Sequence, residues 1–366
     1  MASIVVSGDV LRRPRGTNLA THLHYLIGLR KLGHQVIYLE DRGAGEPGGS
    51  LVPSAGLVLL RDLLRRCRVD VPVVWVDPDA GLVGGMVWPQ LRRRLSKADL
   101  LLDLGGHGWL EERSLPRRRV LIDVDSGTGV LAAAPRQLEH DLYFSYRREP
   151  AALLDADWQP TIPPVVPRLW YGPPSRAELP LRVWADAAGA PPGPGDGRAC
   201  GLSPEQLLAL PGRISARPWM ALPAAHAQLG AELRRAGWMI REPDEADGSL
   251  SSHRGAMLGS QALLSARAGA DAAQGVWFTG PDACHLAAGR PVIAVDPDLD
   301  SWLPTGAGLI AVSDLEGAAA AVERIQGDLP RHAAAARAIA ERVFHFRVVL
   351  PSMLEQALPR RLQAAA

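Results

Sequence analysis

The sequence has few cysteines. The chain of 366 residues has three, Cys67, Cys200 and Cys284, far apart and odd in number. That excludes a disulfide framework and suits buried thiols in a reducing compartment. No CxxC or comparable pairing occurs, so no metal is expected. An excess of one charge is also missing: Lys+Arg 40 against Asp+Glu 39 leaves a formal net charge of +1. Nothing global therefore calls for nucleic acid or an acidic surface as partner. No run of 18 apolar residues occurs, so no membrane span is expected, while peripheral membrane contact stays open. The start lacks a basic segment followed by a long apolar one, which argues against a signal peptide and for a cytoplasmic protein. The stretch from Ser7-Gly8-Asp9 to Gly16 lacks GxGxxG. A dinucleotide-dependent oxidoreductase is thus a weak reading, although Glu40 stands where a ribose-binding acid would sit.

What is present fits a two-domain α/β protein. The length suits two domains of roughly 150–180 residues, and 47% hydrophobic with 22% charged residues is ordinary for a globule. Arginine far outnumbers lysine. The runs Arg92-Arg93-Arg94 and Arg117-Arg118-Arg119 read as solvated faces. Ser3 to Gly8 reads as a buried strand, Thr17 to Leu32 as a helix stopped by Gly33-His34, and Gln35 to Glu40 as the next strand. That is the opening of a Rossmann-like domain. Further strands are expected near Val71 to Val76, Leu100 to Leu104, Val120 to Val124 and Leu142 to Tyr146. Helices are expected near Leu57 to Arg66 and Val87 to Lys97. The Pro-rich stretch from Gln159 to Pro167 reads as a linker. The expected division is 1–160, a linker over 161–174, a second domain over 175–345, and a C-terminal helix over 346–366 returning to the first domain.

The densest signal is Val276-Trp277-Phe278-Thr279-Gly280-Pro281-Asp282-Ala283-Cys284-His285-Leu286-Ala287-Ala288-Gly289-Arg290-Pro291, followed by the buried strand Val292 to Val295 and Asp296. Thr279 is a natural N-cap and Asp282, three residues on, completes a capping box. Pro281 suits the first turn, and Gly289 with Pro291 ends the helix. A turn entering a helix at the edge of an α/β sheet offers backbone N–H groups and a helix dipole suited to a diphosphate.

This segment, with Trp302-Leu303-Pro304-Thr305-Gly306-Ala307-Gly308-Leu309, resembles bacterial glycosyltransferases of the GT-B fold, and among them a poorly characterised actinobacterial group. Gly16-Thr17-Asn18, His22 to Val36, and Val120 to Asp125 add to the resemblance in the same order along the chain. It implies two Rossmann-like domains facing a cleft. It further implies a nucleotide-sugar as co-substrate, held by the second domain, and a small-molecule acceptor held by the first. No separate cofactor is implied, and a homo-oligomer is compatible with it. In this family a histidine near the start of the first helix serves as acceptor base, which here is His22, with Asn18 on the same helical face. The alternative for His22 is a helix histidine satisfied by a backbone carbonyl.

The remaining candidates divide in the same way. Gly105-Gly106-His107-Gly108 follows a strand, where a glycine loop approaches substrate closely and His107 is a second base candidate; the plain alternative is a tight turn. Asp123 and Asp125, on one face at a strand end, could orient or deprotonate an acceptor, or cap the next turn. Thr279 and the N–H groups of Gly280 and Ala283 are the diphosphate candidates. Asp282 fits the cap better than the anion, and Asp296 suits a sugar or ribose hydroxyl or a loop cap.

The departures from the group run one way. It carries Asp-Arg-Ser where this chain has Gly280-Pro281-Asp282, and Gly-Glu-Gly where this chain has Gly306-Ala307-Gly308. Its Ser-Arg-x-Glu-Phe-Ser is replaced by Ser260-Gln261-Ala262-Leu263-Leu264-Ser265. Polar donor-side positions have become small or apolar. Two readings follow: a glycosyltransferase with an altered donor, or a GT-B-like auxiliary or binding protein without transfer activity.

Overall fold

The computed structural model describes residues 1–41, 54–77, 81–108, 110–124, 140–146, 156–185, 201–266 and 278–358. They form two compact units, Met1–Val166 with Phe346–Ala366, and Pro167–His345. Among the described residues no helix is long and apolar enough to cross a membrane.

In unit 1 the elements are β1 (Ser3–Ser7), α1 (Gly16–Lys31), β2 (Gln35–Asp41), α2 (Ser54–Arg66), β3 (Val73–Asp77), β4 (Leu82–Gly84), α3 (Trp88–Lys97), β5 (Leu100–Leu104), β6 (Arg119–Asp123), β7 (Leu142–Ser145) and β8 (Trp158–Pro160). They build an eight-stranded sheet in the order β4-β3-β2-β1-β5-β6-β7-β8. Every pairing is parallel except β3 with β4. Strands covered on both faces read as continuous apolar runs, which is why Ile4-Val5-Val6 and Leu100-Leu101-Leu102 announce themselves.

Unit 2 contains β9 (Leu181–Trp184), α4 (Pro204–Ala209), β10 (Pro218–Ala221), α5 (Ala227–Arg235), β11 (Met239–Arg241), α6 (Pro243–Asp247), α7 (Leu250–Leu258), β12 (Leu263–Ser265), α8 (Gly280–Ala287), β13 (Val292–Val295), β14 (Leu309–Val312), α9 (Leu315–Gly327) and α10 (Leu329–Ile339). Its six strands are all parallel, in the order β11-β10-β9-β12-β13-β14. The core lies between this sheet and its helices, with Leu181, Val183, Leu264 and Ile293 buried against Ala318, Val322 and Ile325. This α/β architecture of two parallel sheets is the fold class expected. The short strands β4 and β8, and the run β10 to β12, were not expected. The Gly- and Pro-rich stretch 187–199, which reads in sequence as a loop, lies outside the described residues.

The final helix, α11 (Phe346–Ala357), belongs to unit 1. It lies on α1 at Gly28, where an added Cβ would stand 2.6 Å from Leu350 Cδ1 and 3.0 Å from Phe346 Cβ. Phe346 N–H donates to Val165 O at 2.9 Å. The Arg118 guanidinium donates to the Gln356 and Ala357 carbonyls, 3.2 Å each, at the negative end of the helix. Gly28→Val should therefore force the two helices apart and cost about 1–3 kcal/mol. An unchanged melting temperature in that variant would show that the contact at Gly28 is not tight.

Candidate active site

An open parallel sheet binds ligands at the carboxyl ends of its strands, where the strand order reverses. In unit 1 that point falls between β1 and β5, which are neighbours in the sheet although β2 follows β1 in sequence. Two loops leave there, Gly8 to Arg15 after β1 and Gly105 to Gly108 after β5.

The first loop is built on β2. The buried Tyr38 hydroxyl accepts from Val10 N–H at 3.2 Å and donates to Glu40 Oε2 at 2.6 Å. Glu40 also accepts from the N–H groups of Leu11 (2.7 Å) and Arg12 (2.9 Å), and from Arg12 Nε at 3.1 Å. Burial pushes its carboxyl up to about 7, against the pull of Arg12. This corrects the ribose-binding reading of Glu40, because its oxygens organise the loop instead.

The loop presents Asp9, which the sequence did not single out. Its carboxylate accepts from Asn18 Nδ2 at 3.0 Å and stands 3.6 Å from His107 Nε2 and 3.5 Å from the Arg13 guanidinium. Burial pushes the Asp9 carboxyl up, but His107, His22, the Asn18 bond and Arg12 outweigh it and hold it low. His22 is buried on α1, with Nδ1 2.8 Å from Asn18 O. That contact makes Nδ1 the protonated nitrogen and Nε2 the basic one. Nε2 points at Gly8, where an added Cβ would stand 2.0 Å away, and it has no hydrogen-bond partner among the described residues. Burial lowers the His22 pKa, against Asp9.

His107 is the more open imidazole, its side chain 10% exposed against 1% for the whole of His22. Its ring folds back over Gly105, whose added Cβ would be 2.7 Å from Nε2, and both Gly105 (φ 79°) and Gly106 (φ 71°) adopt the left-handed region. A side chain at either would strain the turn. Burial lowers the His107 pKa, with Asp9 and Asp103 opposing. Gly16 opens α1 after Arg15, whose side chain does not cap the helix, so the first N–H groups of α1 are left without a side-chain acceptor from the N-cap.

Asp123 ends β6, and its carboxylate accepts from the Ser145 hydroxyl of β7 at 3.0 Å. Asp125 lies outside the described residues.

In unit 2 the strand order reverses between β9 and β12. Much of the chain after both strands lies outside the described residues. The turn before α8 is closed on itself. Thr279 N–H and its hydroxyl donate to Asp282 Oδ2 at 2.8 and 2.7 Å, and Ala283 N–H donates to Thr279 O at 3.1 Å. The expected capping box is therefore present, whereas the Thr279 hydroxyl and the Ala283 N–H, expected for a diphosphate, are engaged within the turn. Asp296 follows β13 and accepts from Asp298 N–H at 3.0 Å, so it caps its loop. Arg290 is fully buried on three backbone carbonyls. A further buried cation, Arg182 of β9, lies between the Trp184 and Trp219 rings, 5.2 Å from each centroid. Burial pulls its pKa down to about 10.

His22, His107, His253 and His285 are all held neutral chiefly by burial, below the ordinary value of 6.5. An unfolded chain takes up these protons below pH 6.5 while the folded one resists, so their contribution is intact above that pH and declines as the pH falls. Asp9 and Asp103, held low, act in the same direction at lower pH, while Glu40, raised to about 7, opposes the histidines as one group against four. The melting temperature should fall from pH 6.5 towards pH 5. A profile that is flat or rising over that interval contradicts the burial of these rings.

The fold is similar to that of solved glycosyltransferases. The structure is similar over 97% of this chain and 99% of the other to HepE of Anabaena, solved with UDP and glucose, at 12% identity and TM-score 0.55. It is similar over 100% and 99% to AviGT4, a glycosyltransferase involved in avilamycin A biosynthesis, at 17% identity and TM-score 0.59. An alpha-glucosyltransferase solved with UDP and a 13-mer DNA matches over 96% and 98% at 11% identity and TM-score 0.55. No family profile matches the sequence, and no curated protein matches it at the level of sequence.

Proposed function

We propose that the chain is a glycosyltransferase that moves a sugar from a nucleotide-sugar to a hydroxyl of a small-molecule acceptor, without a metal, in a natural-product type of biosynthesis. The observation that carries this reading is the convergence of Asp9, Asn18, His22 and His107 at the switch point of unit 1. Neighbours of the same fold solved with UDP, or with UDP-glucose, support the donor class. Unit 1 holds the acceptor, with Gly16, Gly105 and Gly106 at the approach and Asp123 beside them. His107 takes the acceptor proton on Nδ1, and Asp9 faces Nε2–H and stabilises the imidazolium. His22, sealed under Gly8, supports Asp9 from the other side. Unit 2 holds the nucleotide-sugar near Thr279, Gly280, Asp282, Ala283 and Asp296, with Gly280 offering the N–H that faces the diphosphate.

A second reading has its own support. The Thr279 hydroxyl and Ala283 N–H bond within their turn, and the small residues at 280–282 provide no cation. A protein of the same fold that binds without transferring fits those features. A thermal-shift panel of nucleoside diphosphates and their sugars separates the two. A ligand at 100 times its dissociation constant stabilises by about 2.7 kcal/mol, so the true donor should raise the melting temperature by several degrees with EDTA present. If none of the panel moves it, the binding-protein reading replaces transfer.

A further inference from the structure

Beneath the proposed acceptor site lies a buried polar layer that the transfer reading does not use. Asp103, near the end of β5, is fully buried and accepts from the Ser7 hydroxyl of β1 at 3.0 Å. It pairs with the Arg113 guanidinium, and His140 Nε2 is 3.2 Å from its Oδ2. Arg113 Nη2 also donates to Ser7 Oγ at 3.0 Å. The guanidinium lies against Gly108, where an added Cβ would stand 2.3 Å from Cζ and from Nη1. Arg113 is thus lodged between the ends of the two strands that flank the switch point and the loop that carries His107. A buried cation with a carboxylate partner is a rigid support, since neither charge can move without leaving the other uncompensated.

We propose that Arg113 is a positioning residue: by clamping Asp103 and Ser7 beneath Gly108, it holds the 105–108 loop so that the His107 imidazole stays against Asp9. The proposal rests on the reading of His107 as the acceptor base. The groups facing His107 are Asp9, Asp103, Arg12 and Arg13, with His22 beyond Asp9, and those facing Asp103 are Arg113, His140 and Ser7.

The test is the titration of His107 in the whole protein, followed by NMR of ring-labelled histidine, and it needs no sugar. In Arg113→Met the loop opens to water, and the Asp103 carboxylate, which faces His107, loses its paired cation. Both changes favour the imidazolium, so the His107 midpoint should rise by about one unit, tenfold in proton affinity. Arg113→Lys keeps the charge and should restore most of the wild-type midpoint. Gly108→Ala displaces the guanidinium without removing it and should shift His107 in the same direction, by less. A merely structural Arg113 would lower the melting temperature in these variants and leave the His107 midpoint in place. An unchanged midpoint in folded Arg113→Met overturns the proposal. If that variant does not fold, an unchanged midpoint in Gly108→Ala overturns it. Absence of transfer in the wild type would sink the functional reading and leave the clamp standing. An unmoved titration in an active enzyme would do the reverse.

Discussion

His107→Ala is expected to lower the rate of sugar transfer by about 10²- to 10⁴-fold, the usual contribution of a positioned general base. Nucleotide binding should hardly change, because the donor is assigned to unit 2, while the melting temperature should fall modestly, because the ring is largely buried against Asp9. Asp9→Asn should cost less, since it leaves the imidazole and removes only the carboxylate that stabilises its charged form. The pH dependence carries the same signature. With the imidazole pKa below its ordinary value, transfer should rise as the pH passes through that depressed pKa and then level off. His22→Ala separates the two histidines. Its Nε2 faces Gly8 and its Nδ1 is held by Asn18 O, so the variant should retain more activity than His107→Ala. Loss of transfer in His22→Ala with activity kept in His107→Ala would move the role of base to His22 and require the Gly8 segment to open.

Arg290→Ala should produce the largest loss of stability. The Gly-Arg-Pro segment reads in sequence only as a helix stop, with no separate role for its arginine. The structure gives it one. The guanidinium reaches Pro173 O at 3.2 Å, Leu258 O at 2.9 Å and Ala288 O at 3.3 Å, joining three separate segments of unit 2. Burial lowers its pKa to about 10, with Arg337 adding to the effect. Truncation leaves those carbonyls without that donor in a buried setting and opens a cavity, at a cost of about 2–4 kcal/mol. For a domain of this size that is roughly 5–15 °C in melting temperature. Arg290→Lys should recover part of the loss, because an ammonium donates but lacks the planar fork. If Arg290→Ala instead melts normally and loses nucleotide affinity, the arginine is a ligand group and the structural account is wrong.

The contrast between these two residues marks what the sequence could reveal. The helix α1 was legible because its apolar positions recur between Gly16-Thr17 and Gly33, and β1, β5 and β13 were legible as apolar runs bounded by glycine or aspartate. The capping box at Thr279 and Asp282 was legible because it is local. The strands β10, β11 and β12 were not, since three or four residues hold too little of a two-residue period, and Leu263-Leu264-Ser265 follows a helix closely enough to read with it. His22, Asn18 and His107 could be named as candidates from their local settings. Asp9 could not, because its meaning comes from partners on α1 and after β5. The one available hint was Gly8 before it, a glycine at a strand end where another group comes close. Arg113 gave no hint, because its carboxylate and hydroxyl partners are brought to it only by the order of the strands.

The assignment of α11 to unit 1 has a consequence for the order in which the protein is made. The seat of α11 on α1, at Gly28, leaves the ribosome well before α11 itself, because Phe346 to Ala357 follow the whole of unit 2. Domains usually fold as they emerge, the N-terminal one first. Here the contiguous middle unit can finish while the first still waits for its closing helix. The apolar groove beside Gly28 thus stays uncovered throughout the translation of some 180 residues, and a chaperone that recognises nascent apolar surface would find it there.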